Sequence, residues 1–270
     1  MGILKICRRW ISICPAPERS SLTRKNIILV PVTICFDFGN TRRKYAIFDG
    51  PVQRHSDNLP DDAPATIEAV LNKYQPQLSI LSSVIVHNPA IEPLLAGRTQ
   101  FHKLSHLTRL PFTTPVGKPE TIGADRLALC AAGVQLFPGG NNLVVALGTC
   151  ITYNFINKYN EFLGGGISPG MDMRFKSLNT FTAFLPVIKE DWNFPLAGYD
   201  TRTNILSGVL LGMAKEIDGF IDAYSERYSN FNVLLTGGNC AHFVPHLKNR
   251  IFADPDLLFK GLYAISEHNR

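Results

Sequence analysis

One arrangement occurs twice in this sequence, and it restricts the fold more than any other feature. Val32-Thr33-Ile34-Cys35-Phe36 and Tyr45-Ala46-Ile47-Phe48 are apolar, β-branched and aromatic runs on either side of a polar turn, Asp37-Phe38-Gly39-Asn40-Thr41-Arg42-Arg43-Lys44. About half the body of the chain further on, Leu143-Val144-Val145-Ala146-Leu147 and Ile151-Thr152-Tyr153-Asn154-Phe155-Ile156 flank Gly148-Thr149. Each reads as strand, turn, strand. A third run, Val233-Leu234-Leu235, leads into Thr236-Gly237-Gly238-Asn239. Between these lie helical patterns at Ala65 to Tyr74, Ile91 to Gly97, Ile122 to Gly133, Met173 to Phe184 and Ile205 to Tyr228, and a buried strand at Leu78 to Val84. That rhythm is α/β and predicts parallel or mixed sheets. The turn cluster Phe137-Pro138-Gly139-Gly140-Asn141-Asn142 suggests a boundary, dividing the body into residues 27–140 and 141–270.

The first turn carries specific chemistry. Gly39 and Asn40 tolerate backbone conformations that aim several N–H groups at one point, and Thr41 adds a hydroxyl. Arg42, Arg43 and Lys44 bring positive charge, and Asp37 brings a carboxylate able to hold hydrated Mg²⁺. Together they describe a site for the phosphates of a nucleotide. The plainer alternative is a hairpin with a solvated basic edge. Gly237 and Gly238 follow a strand, where glycine lets backbone approach an adenosine or phosphate group. Asp125 and Arg126 open the Ala/Leu-rich helix, where the dipole favours a carboxylate. Read locally, they are a helix start and its surface partner before they are a catalytic pair. The run Phe162-Leu163-Gly164-Gly165-Gly166-Ile167-Ser168-Pro169-Gly170-Met171 suggests a fixed turn leading onto a helix, with a flexible surface loop as the alternative.

Composition narrows the function class. The net charge is +5, but residues 1–26 hold six basic groups against one acid, leaving 21 basic and 21 acidic residues. A neutral body gives no support for nucleic-acid binding. Residues 1–26 read as a poorly ordered basic extension. No run approaches the ~18 apolar residues of a membrane-spanning helix. Six cysteines without a Cys-x-x-Cys pair make neither a zinc framework nor a disulfide scaffold, and point to reduced thiols in a cytoplasmic protein.

In this order the blocks resemble type III pantothenate kinases. The resemblance runs from about Thr33 to about Gly261. It is carried by Asp37–Lys44, Gly123-Ala124-Asp125-Arg126 after Pro119-Glu120-Thr121-Ile122, Gly148-Thr149 with Ile151-Thr152, Gly164–Gly170, and Thr236-Gly237-Gly238. It implies two duplicated actin-like (ribonuclease H-like) domains with mixed sheets flanked by helices. It also implies a homodimer and ATP-dependent phosphorylation of pantothenate with Mg²⁺. The family's general base falls on Asp125, its substrate site on Gly123, Ala124, Asp125, Arg126, Val116 and Thr201, and its ATP contacts on Asp37–Lys44 and Thr149. Guanidinium geometry suits Arg126 to the substrate's carboxylate.

Three positions depart from the family. Ala146 replaces an Asp linked to a monovalent cation, which puts a K⁺ or NH₄⁺ site there in question. Asn154 replaces a second Asp but keeps an oxygen able to coordinate, and Val116 replaces a tyrosine that flanks pantothenate. These departures keep two other readings open: a non-catalytic accessory relative that binds nucleotide or pantothenate, and a kinase for another small hydroxyl compound.

Overall fold

The computed structural model describes residues 31–270. The basic extension expected over residues 1–26 lies outside the described residues, as do Cys7 and Cys14. Two five-stranded sheets repeat one plan. In the first, β1 (Val32–Phe38) pairs antiparallel with β2 (Arg43–Asp49) and parallel with β4 (Leu78–Ser83), giving the order β3-β2-β1-β4-β5. In the second, β6 (Asn141–Leu147) pairs antiparallel with β7 (Cys150–Ile156) and parallel with β9 (Phe231–Thr236); with β8 (Phe162–Pro169) and β10 (Phe252–Ala253) at the edges the order is β10-β9-β6-β7-β8. The duplicated mixed sheets expected from the repeat are present.

The central strands are mostly apolar because both faces are covered. From β1, Ile34, Phe36 and Phe38 pack against Ile67 and Leu71 of α1 (Pro64–Tyr74) and against Ile91 and Leu95 of α2 (Ile91–Arg98). The other face of β1 presents Cys35 to a middle layer made of α3 (Ala124–Leu136) and α8 (Leu257–His268). That layer also receives Val144, Ile156 and Leu234 from the second sheet. The second sheet's outer face, with Leu143, Val145 and Leu147, is covered by α4 (Met171–Thr180), α5 (Thr201–Leu206) and α6 (Gly212–Arg227).

Small residues allow the middle layer to close. A Cβ on Gly261 of α8 would lie 1.8 Å from the Ala128 carbonyl oxygen of α3, so the two backbones touch directly. A Cβ on Gly133 would meet a Val144 methyl at 3.1 Å, a tight but less direct approach of α3 to β6. Only glycine fits at the first position.

Several elements differ from expectation. Phe162–Pro169 is neither loop nor turn but strand β8, the edge of the second sheet paired antiparallel with β7. Its glycines are needed there, since a Cβ on Gly165 would lie 1.9 Å from the Tyr153 carbonyl oxygen. The helix expected from Met173 to Phe184 covers Met171–Thr180, so it starts and stops earlier. The long helix begins at Thr201, where Asp200 and Thr203 form a reciprocal capping box, and passes through a π-turn at Ser207–Leu211 before ending at Arg227. Two edge strands, β3 (Val52–Leu59) and β5 (Gln100–Lys103), carry too little apolar patterning to be read from sequence.

Candidate active site

The two hairpin turns face each other. The Thr41 and Thr149 hydroxyls, 108 residues apart in sequence, lie 2.8 Å from one another. In the first turn the Gly39 N–H donates to the Arg42 carbonyl at 3.0 Å, leaving Asn40, Thr41 and Arg42 exposed at the tip. In the second, the Gly148 N–H donates to the Cys150 carbonyl at 3.1 Å. Glycines from two further blocks press against that second turn. A Cβ on Gly170 would lie 2.3 Å from the Gly148 carbonyl oxygen and 2.4 Å from that of Thr149. Gly237, at φ +104°, would place a Cβ 2.2 Å from the Leu147 carbonyl oxygen. Three glycine-bearing segments, far apart in sequence, thus meet at one point, with Gly238 exposed beside them.

Asp37 is the penultimate residue of β1, beside Lys44 on β2 and Ser82 on β4. Burial, then the neighbouring Asp125 carboxylate, push its pKa up to about 7, and the Lys44 ammonium opposes this. The Asp125 carboxyl is also raised, mainly by burial, with Arg126 acting in the opposite direction. A Cβ on Gly123 would lie 2.5 Å from Asp125 Oδ1, so this carboxylate occupies room that only glycine leaves. Ser82 Oγ is fully buried and has no hydrogen-bond partner. Sequence reading passed over Ser82; the signal was a polar residue ending an apolar strand.

Oxygen donors of this kind suit Mg²⁺. Asp37 and Asp125 are hard carboxylate ligands, and Ser82 supplies an orphaned hydroxyl next to Asp37. The described residues contain no cluster of three or more His, Cys, Asp or Glu arranged around a metal. Mg²⁺ needs none, because it keeps several waters and binds through one or two carboxylates and substrate phosphates. The side chain of Ala146 packs towards the middle layer and offers no oxygen.

Arg126 reaches across to the second sheet. Its Nε donates to Asn154 Oδ1 at 2.6 Å and Nη2 to the Tyr153 carbonyl at 3.4 Å, while the guanidinium sits 5.5 Å from the Phe162 ring. Beside the Gly123-Ala124 turn lies a cavity of about 360 Å³, bordered by Ser83, Ser105, His106, Glu120 and Thr121. That is the size of a small-molecule site.

Other expected residues lie elsewhere or act differently. The Phe38 side chain is buried in the outer core, edge-on to His87 at 5.6 Å, so only its backbone can serve the turn. Arg43 pairs with Asp62 at 3.4 Å. Val116 packs partly buried against the middle layer. Thr201 opens α5, and α5 covers the face of the second sheet opposite to α3. One chain therefore does not bring Thr201 to the Gly123–Arg126 turn. Of the thiols, Cys35, Cys130 and Cys240 are buried, Cys150 is half-buried, and all four are free.

Two like sheets with hairpin turns closing on a carboxylate-lined cleft define an actin-like phosphotransferase. Solved structures share this fold: a Campylobacter jejuni protein described as belonging to the Baf family of transcriptional activators matches with a TM-score of 0.57 at 20% identity, covering 87% of this chain and 98% of its own. A Sinorhizobium meliloti protein described as a 2-dehydro-3-deoxygalactonokinase matches at 0.52 and 13%, covering 87% and 98%.

The sequence comparisons give the family. The model of type III pantothenate kinase matches residues 33–223. A type III pantothenate kinase of Cytophaga hutchinsonii is 40% identical over 241 residues, covering 88% of this chain and 100% of the relative. One of Bacteroides fragilis is 39% identical over 246 residues, covering 88% and 98%. The chain belongs to the type III pantothenate kinase family.

Proposed function

We propose that this protein transfers the γ-phosphoryl group of ATP to the primary hydroxyl of pantothenate, giving 4'-phosphopantothenate, the first step towards coenzyme A. The observation that carries this reading is the meeting of Thr41 and Thr149 at 2.8 Å, beside the electrostatically coupled Asp37 and Asp125. Phosphates placed between the turns meet backbone N–H groups and hydroxyls from both halves, with Lys44 on the first. Mg²⁺, when bound, neutralises charge on the phosphates, and Asp37 is the residue to hold it.

Asp125 is the general base. Its raised pKa brings it nearer the range in which a carboxylate removes a proton efficiently at neutral pH. The pantothenate hydroxyl gives its proton to Asp125 as its oxygen bonds to the γ-phosphorus. The bond from that phosphorus to the bridging oxygen breaks, and ADP leaves. Gly123, Ala124, Val116 and the adjoining cavity receive the pantothenate body. Arg126 presents N–H groups to its carboxylate.

Thr201 belongs to this site only if a second copy supplies it, so the working unit is a homodimer. No helix among the described residues is long and apolar enough to cross a membrane, and a cytoplasmic location accords with the substrates.

The test is ADP release with ATP, Mg²⁺ and pantothenate, first with sodium alone and then with potassium or ammonium. Pantothenate-dependent turnover is expected, and turnover in sodium alone identifies Ala146 as the mark of a cation-independent member. Asp125→Asn should lower kcat by about 10²–10⁴ while ATP still binds. Full turnover in that variant removes Asp125 as the base. Absence of turnover in the folded wild type under every condition favours an accessory role or another hydroxyl substrate.

A further inference from the structure

The second hairpin turn carries no charge, yet an ion pair stands close behind it, and the proposed reaction gives that pair no task. Arg174, near the start of α4, folds back over the end of β8. Its Nε donates to the Pro169 carbonyl at 2.8 Å. Its Nη2 donates to Ser168 Oγ at 2.8 Å and to Glu216 Oε2 of α6. The other oxygen of that carboxylate, Oε1, accepts from the Tyr153 hydroxyl of β7 at 2.9 Å. The Arg174 and Glu216 side chains are only 21% and 23% exposed. Burial raises the Glu216 carboxyl, but the hydrogen bonds from Arg174, Ser168 and Tyr153 outweigh it and leave its pKa lowered.

What this network holds is the bend between β8 and α4. Gly170 follows Pro169, and its N–H donates to the Thr149 carbonyl at 3.1 Å. A Cβ there would lie 2.4 Å from that oxygen, so the contact is backbone on backbone. Thr149 in turn meets Thr41 at 2.8 Å. A continuous chain of contacts therefore runs from Glu216 through Arg174, Pro169 and Gly170 to the hydroxyl that faces the first hairpin. The planar guanidinium suits this task, because its fixed fork of donors reaches three oxygens on two other elements at once.

We propose that Arg174, held by Glu216, is a positioning residue for ATP: it fixes the Pro169-Gly170 bend, and through that bend the place at which Thr149 meets the phosphates. The inference rests on the reading of the Thr149 turn as an ATP contact given above. It assigns to this chain the means by which a neutral turn is kept in register with the charged one opposite.

The experiment compares wild type, Arg174→Lys and Glu216→Gln, each with and without Thr149→Val. KM is measured separately for ATP and for pantothenate, binding of ATP with Mg²⁺ by calorimetry in the absence of pantothenate, and Tm alongside. Lysine keeps a charge for Glu216 but has no fork with which to hold Pro169 and Ser168 as well. Arg174→Lys should therefore weaken ATP binding about five- to tenfold, the scale of one charge-assisted hydrogen bond. The KM for ATP should rise to match, with the KM for pantothenate in place and Tm close to that of wild type. Glu216→Gln, whose amide oxygen can still accept from Arg174, should give a smaller change in the same direction. Thr149→Val should add little to Arg174→Lys, because the hydroxyl it removes is already displaced.

Unchanged ATP binding in Arg174→Lys overturns the proposal. Equal rises in KM for both substrates, or a lowered Tm with ATP binding intact, also overturn it, since those are the marks of a residue needed only for packing. Full additivity of Arg174→Lys and Thr149→Val overturns it too, because the two residues then act separately. Should Thr149→Val leave ATP binding unchanged in the wild-type background, the reading of that turn as an ATP contact falls first, and the proposal falls with it.

Discussion

The two sheets share strand order, pairing sense and, in four of five equivalent strands, strand length, yet they make opposite contributions to the cleft. Asp37 and Ala146 occupy the same place in the plan: each is the penultimate residue of a seven-residue central strand. Each has a parallel neighbour with a hydroxyl, Ser82 for Asp37 and Thr236 for Ala146. The first half puts a carboxylate there and follows it with a turn carrying Arg42, with Arg43 and Lys44 opening the returning strand. The second half puts a methyl group there and follows it with a two-residue neutral turn. The repeated plan gives both halves the same geometry, and charge stands on one side only. The halves also differ in how their turns are held. Gly170 and Gly237 wall in the second turn, whereas a Cβ on Gly39 of the first would meet only the Arg42 carbonyl, at 3.3 Å. The charged turn is open and the neutral one is clamped.

The largest expected effect comes from erasing the charge difference. Asp37→Asn should lower kcat on the order of 10²–10³-fold, the loss seen when one electrostatic element of a transition-state clamp is removed. The same variant carries a stability signature of known sign. The Asp37 carboxyl holds its proton to about pH 7 when folded but only to 3.8 in the reference state. Between those values the folded state binds more protons, so its stability falls as pH rises towards 7 and stays lower above it. Asp37→Asn removes this slope. Its Tm relative to wild type should be higher at pH 8 than at pH 4, and an equal difference at both would show that Asp37 ionises normally.

A smaller effect probes the clamp. Gly170→Ala should cost about 2–3 kcal/mol in denaturant unfolding, since the added methyl collides with two backbone carbonyls, while Gly39→Ala should cost under about 1 kcal/mol. Similar losses at both positions would mean the turns are equally constrained. The mildest change tests the point where the halves touch. Thr41→Val and Thr149→Val each remove one exposed hydroxyl, worth about 0.5–1.5 kcal/mol, and should raise the KM for ATP a few-fold. The double variant should show less than the sum of the two, and strict additivity would mean that the hydroxyls act separately.

What the sequence revealed follows from which surfaces are covered. β1, β4, β6 and β9 are packed on both faces, so they read as apolar runs. β3, Val-Gln-Arg-His-Ser-Asp-Asn-Leu, lies at a sheet edge with most side chains exposed and leaves no pattern to read. β8 is misleading for the opposite reason. Its glycines resemble a loop, but they let an edge strand approach Tyr153 without a collision. At the site, Asp37, Thr41, Asp125 and Thr149, the residues proposed to act there, could be singled out because each lies in or beside a turn or helix start with distinctive neighbours. The contact between Arg126 and Asn154 could not, since a buried amide in a strand looks the same whether it holds an arginine or merely satisfies backbone. Thr201 shows the limit of matching motif to position, because its place in one chain lies across a sheet from the residues it was grouped with.

The contact between Gly261 and Ala128 has a consequence in time. At about 5–20 residues per second, several seconds separate the synthesis of α3 from that of α8. During that interval the helix bearing Asp125 has the first sheet and a growing second sheet but not the helix that fills its remaining face. The nascent protein therefore holds the carboxylate proposed as its general base on an unfinished support until residues 257–268 leave the ribosome. A message broken shortly before that point yields a chain with every proposed catalytic and ATP-contact residue but without the helix that completes the middle layer against α3.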